Sequence, residues 1–201
     1  VSGTTTLAAG SANDITLDNA NNFGGAVSIT SGNDVALNDT GAIALGASTV
    51  SGNLAVTANG SITDTGAVTV AGTTTLTAGS GNDITLDAAN DFTGELTIVS
   101  GRNVTLNDTN SLDLGSATAV STISGNLVIT AAGRIDGGNL AITGTTSLTA
   151  GSANRIVFNA IKGPNSFGGA VSIGSGFNVV LAAAGPLDLG SSNVTGFLSV
   201  T

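Results

Sequence analysis

Thirteen carboxylates, four cations and a scatter of hydroxyls are the chemical equipment of this 201-residue chain, which has no histidine, cysteine, tyrosine, tryptophan or methionine. Without imidazole or thiolate, a hydroxyl lacks a neighbouring base to activate it, so acid–base work would fall to paired Asp and Glu side chains. The carboxylates that recur in matching phrases are Asp39 and Asp108, in LNDT, and Asp113 and Asp188, in LDLG. A glycosidase or polysaccharide lyase needs such groups within about 5–9.5 Å of one another, with a basic group beside them. Members of each pair lie one long repeat apart, about three turns or ~14 Å at inter-strand spacing. No catalytic residue is therefore assigned, and the chain is expected not to be an enzyme.

Metal chemistry fares little better. The segments GNDITLD at 81–87 and SGNDVALND at 31–39 resemble acidic calcium-binding turns, which enclose the ion with hard oxygens from adjacent coils. A β-roll, however, repeats its Gly-Gly-x-Gly-x-Asp pattern about every nine residues. Here Asp14 and Asp83 become Arg155 in the third copy, and Asp34 becomes Asn103 and then Asn178. A ligand ladder would not accept a cation, so these are read as solvated turn aspartates that keep the molecule soluble and discourage edge pairing. No metal or cofactor residue is assigned. Thr4, Thr5 and Thr6 return as Thr73, Thr74 and Thr75 and as Thr145 and Thr146, which suggests an outward threonine array, but only one turn in three carries it. Among six phenylalanines, Phe23, Phe92 and Phe167 hold equivalent positions and are expected to be stacked core or corner residues, whereas Phe158, Phe177 and Phe197, with Arg155 and Lys162, add bulk and positive charge to the third copy alone.

The elements that would position these residues come from an internal repeat. GTTTLAAGSANDITLD at 3–18 returns as GTTTLTAGSGNDITLD at 72–87 and GTTSLTAGSANRIVFN at 144–159, giving units of about 3–71, 72–143 and 144–201. The spacing is 69 residues from Leu45 to Leu114, 73 from Leu54 to Leu127 and 75 from Phe92 to Phe167. The growth falls across 117–122 and after Ile161, so Lys162 and Pro164 belong to an inserted loop, since proline cannot donate to an interior ladder. Within each unit the local period is two. Apolar pairs such as Val27 and Ile29, Val35 and Leu37, and Leu54 and Val56 alternate with small polar residues between Gly, Asn and Ser turns. No stretch keeps helical spacing.

Sets of three short strands, roughly 3–25, 26–49 and 50–71 in the first unit, are the arithmetic of a right-handed parallel β-helix: about nine turns of roughly 20–27 residues, three strands per turn, in one continuous domain. Positions such as Leu7/Leu76/Leu148, Ile15/Ile84/Ile156, Ile29/Ile98/Ile173 and Leu45/Leu114/Leu189 keep their apolar character, whereas Ala36/Thr105/Val180 drift and are read as outward. Asn13, Asn33, Asn82, Asn103, Asn154 and Asn178 mark turns whose side chains can bond to the next coil. An antiparallel sandwich would need hairpin signals and linkers that the chain lacks.

Composition excludes further classes. With 41% apolar residues, 8% charged and a net charge of −9, the chain is neither disordered nor equipped to bind nucleic acid or an anionic membrane, and no apolar run could insert in a bilayer. It begins and ends in mid-pattern, as an excerpt of a longer polypeptide would.

The phrases GTTTLTAGSGNDITL and SGNLVITAAG, with the cysteine-free Gly/Asn/Thr-rich composition, resemble the β-helical shafts of filamentous-haemagglutinin-type exoproteins, large Gram-negative surface adhesins of two-partner secretion. The likeness is to a class and covers the whole chain, although the amino-terminal secretion domain of that family is not visible. It implies a secreted or cell-surface shaft that projects an adhesive, biofilm-building or toxic tip, with roles in virulence. The implied partners are adjoining repeats, an outer-membrane transporter and a receptor engaged elsewhere in the parent chain. Open coil ends add an expectation of end-to-end self-association. A polysaccharide-binding or polysaccharide-degrading β-helix, or a calcium-binding repeat module, is the alternative.

Overall fold

The computed structural model describes residues 1–201. Every strand pairing in it is parallel, and the chain has no helix. Two long sheets run the length of the molecule, each visited once per turn for ten turns. One begins with Thr5–Ala8, Val27–Ser31, Ile43–Leu45 and Ile62–Asp64; the facing one begins with Ile15–Asn21, Val35–Asp39, Leu54–Ala58 and Thr74–Thr77. The molecule is a β-solenoid consistent with a right-handed parallel β-helix.

Alternation does the building. In Val35–Asp39 and Leu54–Ala58 every second side chain is buried, and in Val27–Ser31 Val27 and Ile29 are, so each strand directs apolar groups into the tube and small polar groups outward. Because neighbouring strands are parallel and in register, like sits on like: Leu37 on Leu17, Val56 on Leu37 and Leu76 on Val56. The result is one core cluster of 41 residues along the axis. Leu76, Ile84, Ile98, Leu114, Leu148 and Ile156 are fully buried as the repeats require, whereas Leu7, Ile15 and Leu189 lie in the end turns and are only partly covered.

A third side completes the cross-section, and it changes position along the molecule. Ser48–Val50 and Val68–Val70 pair with each other, and the latter extends onto Asp91 and Phe92; this ladder lies where the chain passes from the first long sheet to the second. Further along, Ser121–Ile123, Leu140–Ile142 and Asn165–Phe167 form a separate ladder on the return from second sheet to first. The inserted residues thus feed a real side of the solenoid.

The switch has a cause in the length of the repeat. Thr5–Ala8 lies in the first sheet, its copy Thr74–Thr77 in the second and the next copy Thr146–Thr149 in the first again. Each unit therefore winds through three and a half turns, not three, and equivalent residues of successive units face opposite directions. This corrects the division of the first unit into three whole turns. Stacking of like on like holds between neighbouring turns, where Leu, Ile and Val are interchangeable, whereas repeat equivalents alternate sides. Asp113, beside Leu114 in the second sheet, and Asp188, beside Leu189 in the first, lie on opposite sheets, as do Asp39 and Asp108, so the expected ~14 Å separation along one face does not apply.

The equivalence of the units shows in their turns. Gly10, Gly79 and Gly151 have φ of 91°, 82° and 80°, the left-handed region where a Cβ is unfavourable. Each is followed three residues later by Asn13, Asn82 or Asn154, whose amide donates back to the carbonyl of Ala9, Ala78 or Ala150.

Candidate functional site

The recurring carboxylates divide into two kinds. Asp39 and Asp108 are each only 1% exposed and point inward at strand ends. Asp39 accepts the backbone N–H groups of Phe23 and Gly41, both at 2.7 Å, and Asp108 those of Phe92 at 2.9 Å and Asn110 at 2.7 Å. They are buried caps of the corner that holds the core phenylalanine, not solvated turn residues. Burial pushes the Asp108 carboxyl above the ordinary carboxylate range, against the two N–H donors that favour its charge, and the nearby Asp91 charge adds to the rise. In the third unit the position is Ala183.

The second kind forms axial ladders. Asp14 Oδ1 accepts the Asn33 amide at 2.9 Å and the Asp34 N–H at 3.1 Å; Asp34 Oδ1 accepts both donors of Asn53; Asn53 Oδ1 accepts the N–H and hydroxyl of Thr73, both at 2.8 Å. The second unit repeats the device on the opposite side: Asp83 bonds Asn103, Asn103 bonds Asn126, and Asn126 bonds Thr145. Arg102 adds a bidentate pair to Asp83, at 2.8 Å for each bond, and with the Asn103 N–H holds that carboxyl well below its usual range. Asp14 is held low by Asn33 and the Asp34 N–H. The carboxylates and amides of these turns spend their oxygens on the next coil.

The densest cluster of charge lies on the second sheet. Register places Glu95 beside Asp113 and Asp113 beside Asp136 on three successive turns, about 4.8 Å apart. Like charges this close repel, and two cations offset them. Lys162 Nζ bonds Asp113 Oδ1 at 2.6 Å and the Gly115 carbonyl at 3.0 Å, and faces Glu95 Oε1 at 3.4 Å. Arg134 pairs with Asp136. Burial pushes the Asp136 carboxyl up, Arg134 and Lys162 oppose that, and the Asp113 charge adds to it. A cleft of ≈ 180 Å³ lined by Asp113, Arg134, Asp136 and Lys162 opens beside the cluster, and a groove of ≈ 350 Å³ lies on its other flank under Ser116 and Thr118.

Sequence reasoning singled out Asp113 but matched it with Asp188; the structure matches it with Glu95, Asp136, Arg134 and Lys162. The usable signal was spacing of one turn rather than one repeat. Chemically, the cluster is an ionic brace: Lys162, carried on the inserted loop of the third unit, ties together the two turns of the second that carry Glu95 and Asp113, while Arg134 holds Asp136 on the next.

The threonine array also resolves. Thr74 and Thr146 are 1% exposed and face inward with no hydrogen-bond partner for their hydroxyls, and their copy Thr5 is likewise unpartnered. With units alternating sides, the triplets form no single outward face. Phe23, Phe92 and Phe167 lie in the core; Phe158 is fully buried edge-on to Phe167, centroids 6.0 Å apart, while Phe177 and Phe197 are exposed.

One set of contacts marks the repeat boundary. The hydroxyls of Ser31, Ser100 and Ser175 accept the N–H groups of Gly10, Gly79 and Gly151 at 3.1, 3.1 and 3.0 Å. A family model described as repeats of unknown function (DUF5649) matches residues 1–30, 32–99 and 101–174, breaking at those same serines. The chain belongs to this repeat family. One DUF5649 repeat, as matched over 32–99, thus spans the three-and-a-half-turn unit seen in the structure. No curated protein and no solved structure matches the chain.

Proposed function

We propose that these DUF5649 repeats are a length of shaft in a secreted or cell-surface bacterial protein, whose work is mechanical: to carry an adhesive or effector region away from the cell. The observation that supports this most directly is the pair of parallel ladders running without interruption through ten turns over one continuous core. Ten turns at ~4.8 Å make a rod on the order of 45 Å long. Force along the axis then loads many backbone hydrogen bonds at once. The brace at Lys162 and the Asx ladders serve the same end, since each crosses from one turn to the next. Outward display on a cell surface, an outer-membrane transporter for the parent chain and a receptor bound elsewhere in it follow from the resemblance to filamentous-haemagglutinin-type shafts.

The test is reach. Removing one whole unit, 72–143, from the parent protein on intact cells should lower binding by the parent's tip while leaving the isolated tip's binding unchanged. Restoring length with a copy of unit one should restore it. Specific retention of the 201-residue segment on a glycan array, or turnover of a polysaccharide by it, would replace the mechanical reading with a binding or catalytic one.

A further inference from the structure

The chain contains one Asn-Gly dipeptide, Asn59–Gly60, at the corner after Leu54–Ala58. Asn59 is exposed and its side chain makes no hydrogen bond, whereas the turn asparagines Asn13, Asn33, Asn53, Asn82 and Asn103 are tied to neighbouring groups. The Gly60 N–H is likewise absent from the backbone ladder, although Asn59 N–H bonds to Asp39 and Ile62 N–H to Asp83 on either side of it. The two groups that would have to react with each other, a side-chain amide and the following main-chain nitrogen, are both unpartnered.

Glycine at this corner is fixed by the fold. A Cβ on Gly60 would stand 2.7 Å from the Ala42 nitrogen and 2.8 Å from its Cα, backbone that cannot yield. The second unit has the same requirement at Gly133, which lies against the backbone of Asn110, but precedes it with Ala132. Packing therefore demands the glycine and leaves the residue before it free; asparagine at 59 has no structural duty that alanine does not meet.

We infer that Asn59 is a site of spontaneous deamidation that converts this corner to aspartate or isoaspartate in the folded protein. The Gly60 nitrogen attacks Asn59 Cγ; a Cγ–N bond forms, the Cγ–Nδ2 bond breaks, and ammonia leaves with the Gly60 proton. Water opens the resulting five-membered imide at either carbonyl, giving aspartate or an isoaspartyl link. Both products add one negative charge. The isoaspartyl form also lengthens the main chain between buried Ala58 and buried Ile62, in a turn whose carbonyl at Asn59 receives the Asn82 amide at 3.4 Å, so it loosens the first unit's fourth turn with age.

The experiment is prolonged incubation of the folded protein in mildly alkaline buffer, followed by peptide mapping with mass spectrometry. The expected result is conversion at Asn59 with the other asparagines intact, loss of that conversion in Asn59→Ala, and unchanged melting of the fresh Asn59→Ala protein. Faster amide hydrogen exchange at 59–62 should accompany the isoaspartyl fraction. If Asn59 stays intact in the folded chain while converting in urea, the corner protects the amide and the inference fails.

Discussion

At the scale of single residues the interior is sorted by whether a polar group finds a partner. Ile29 and Leu114 are both 0% exposed and belong to the single apolar core cluster. Ile29→Asp or Leu114→Asp is expected to cost more than about 4 kcal/mol, enough to leave the chain largely unfolded, because a buried unpaired charge has no compensation; circular dichroism melting checks it. The hydroxyls of Thr74 and Thr146 are buried without partners. Thr74→Val and Thr146→Val should each raise stability by about 1 kcal/mol in urea titration, and a loss of stability would mean that the hydroxyl is bonded after all. The carboxyls of Asp108 and Asp136 are raised by burial, so the native state holds their protons more tightly than the unfolded chain. Their ionisation works against folding above the ordinary carboxylate range, and stability is regained as pH falls through their native values. Asp83 and Asp14 are lowered and act in the opposite sense, contributing at neutral pH and failing only in stronger acid. Thermal melting against pH should therefore show highest stability on the mildly acidic side of neutral, with a fall below the carboxylate range.

At the scale of elements, the inserted loops are structural members. The loop that begins at Ile161 carries Lys162 to Asp113 and Glu95, and leads into Asn165–Phe167, the last strand of the ladder after Ser121–Ile123 and Leu140–Ile142. The ion pairs are partly exposed, so Lys162→Ala should cost only about 1 kcal/mol and less in high salt. Hydrogen exchange should nevertheless quicken at 113–119, since the Gly115 carbonyl loses its donor. No change in exchange there would show that the brace bears no load. Sequence spacing located both insertions, but not this contact: Lys162 and Asp113 are 49 residues apart and belong to different units.

At the scale of the whole molecule, the half-turn in each unit means that neighbouring units present the same chemistry to opposite sides, as the Asp14–Thr73 and Asp83–Thr145 ladders do. A solenoid of this kind is held by nearest-neighbour contacts, so removing a complete repeat should leave the rest able to stack. Deletion of 72–143, joining Ala71 to Gly144, should give a shorter cooperative rod whose urea m-value falls roughly in proportion to the surface lost, with the third unit turned to the other side. A cut that removes one strand but keeps both of its corners should instead weaken cooperative unfolding, because it leaves the apolar faces of the turns above and below without a covering strand.

The sequence alone determined that the chain folds as parallel coils around an apolar core, because period-two alternation, glycine and asparagine turns and the long repeat are all local or self-similar properties. It also placed Ile29, Ile98 and Phe92 inside. What only the tertiary structure decided is the phase: whether a repeat closes after three turns or three and a half depends on how many residues each corner absorbs, and strand identity does not reveal it because Leu, Ile and Val stack equally well in either sheet. That phase separates Asp39 from Asp108 and Asp113 from Asp188, brings Glu95, Asp113 and Asp136 into one column, and turns Thr74 inward. Interactions along a solenoid run between adjacent turns, so a pairing read from matching repeats compares residues that never meet.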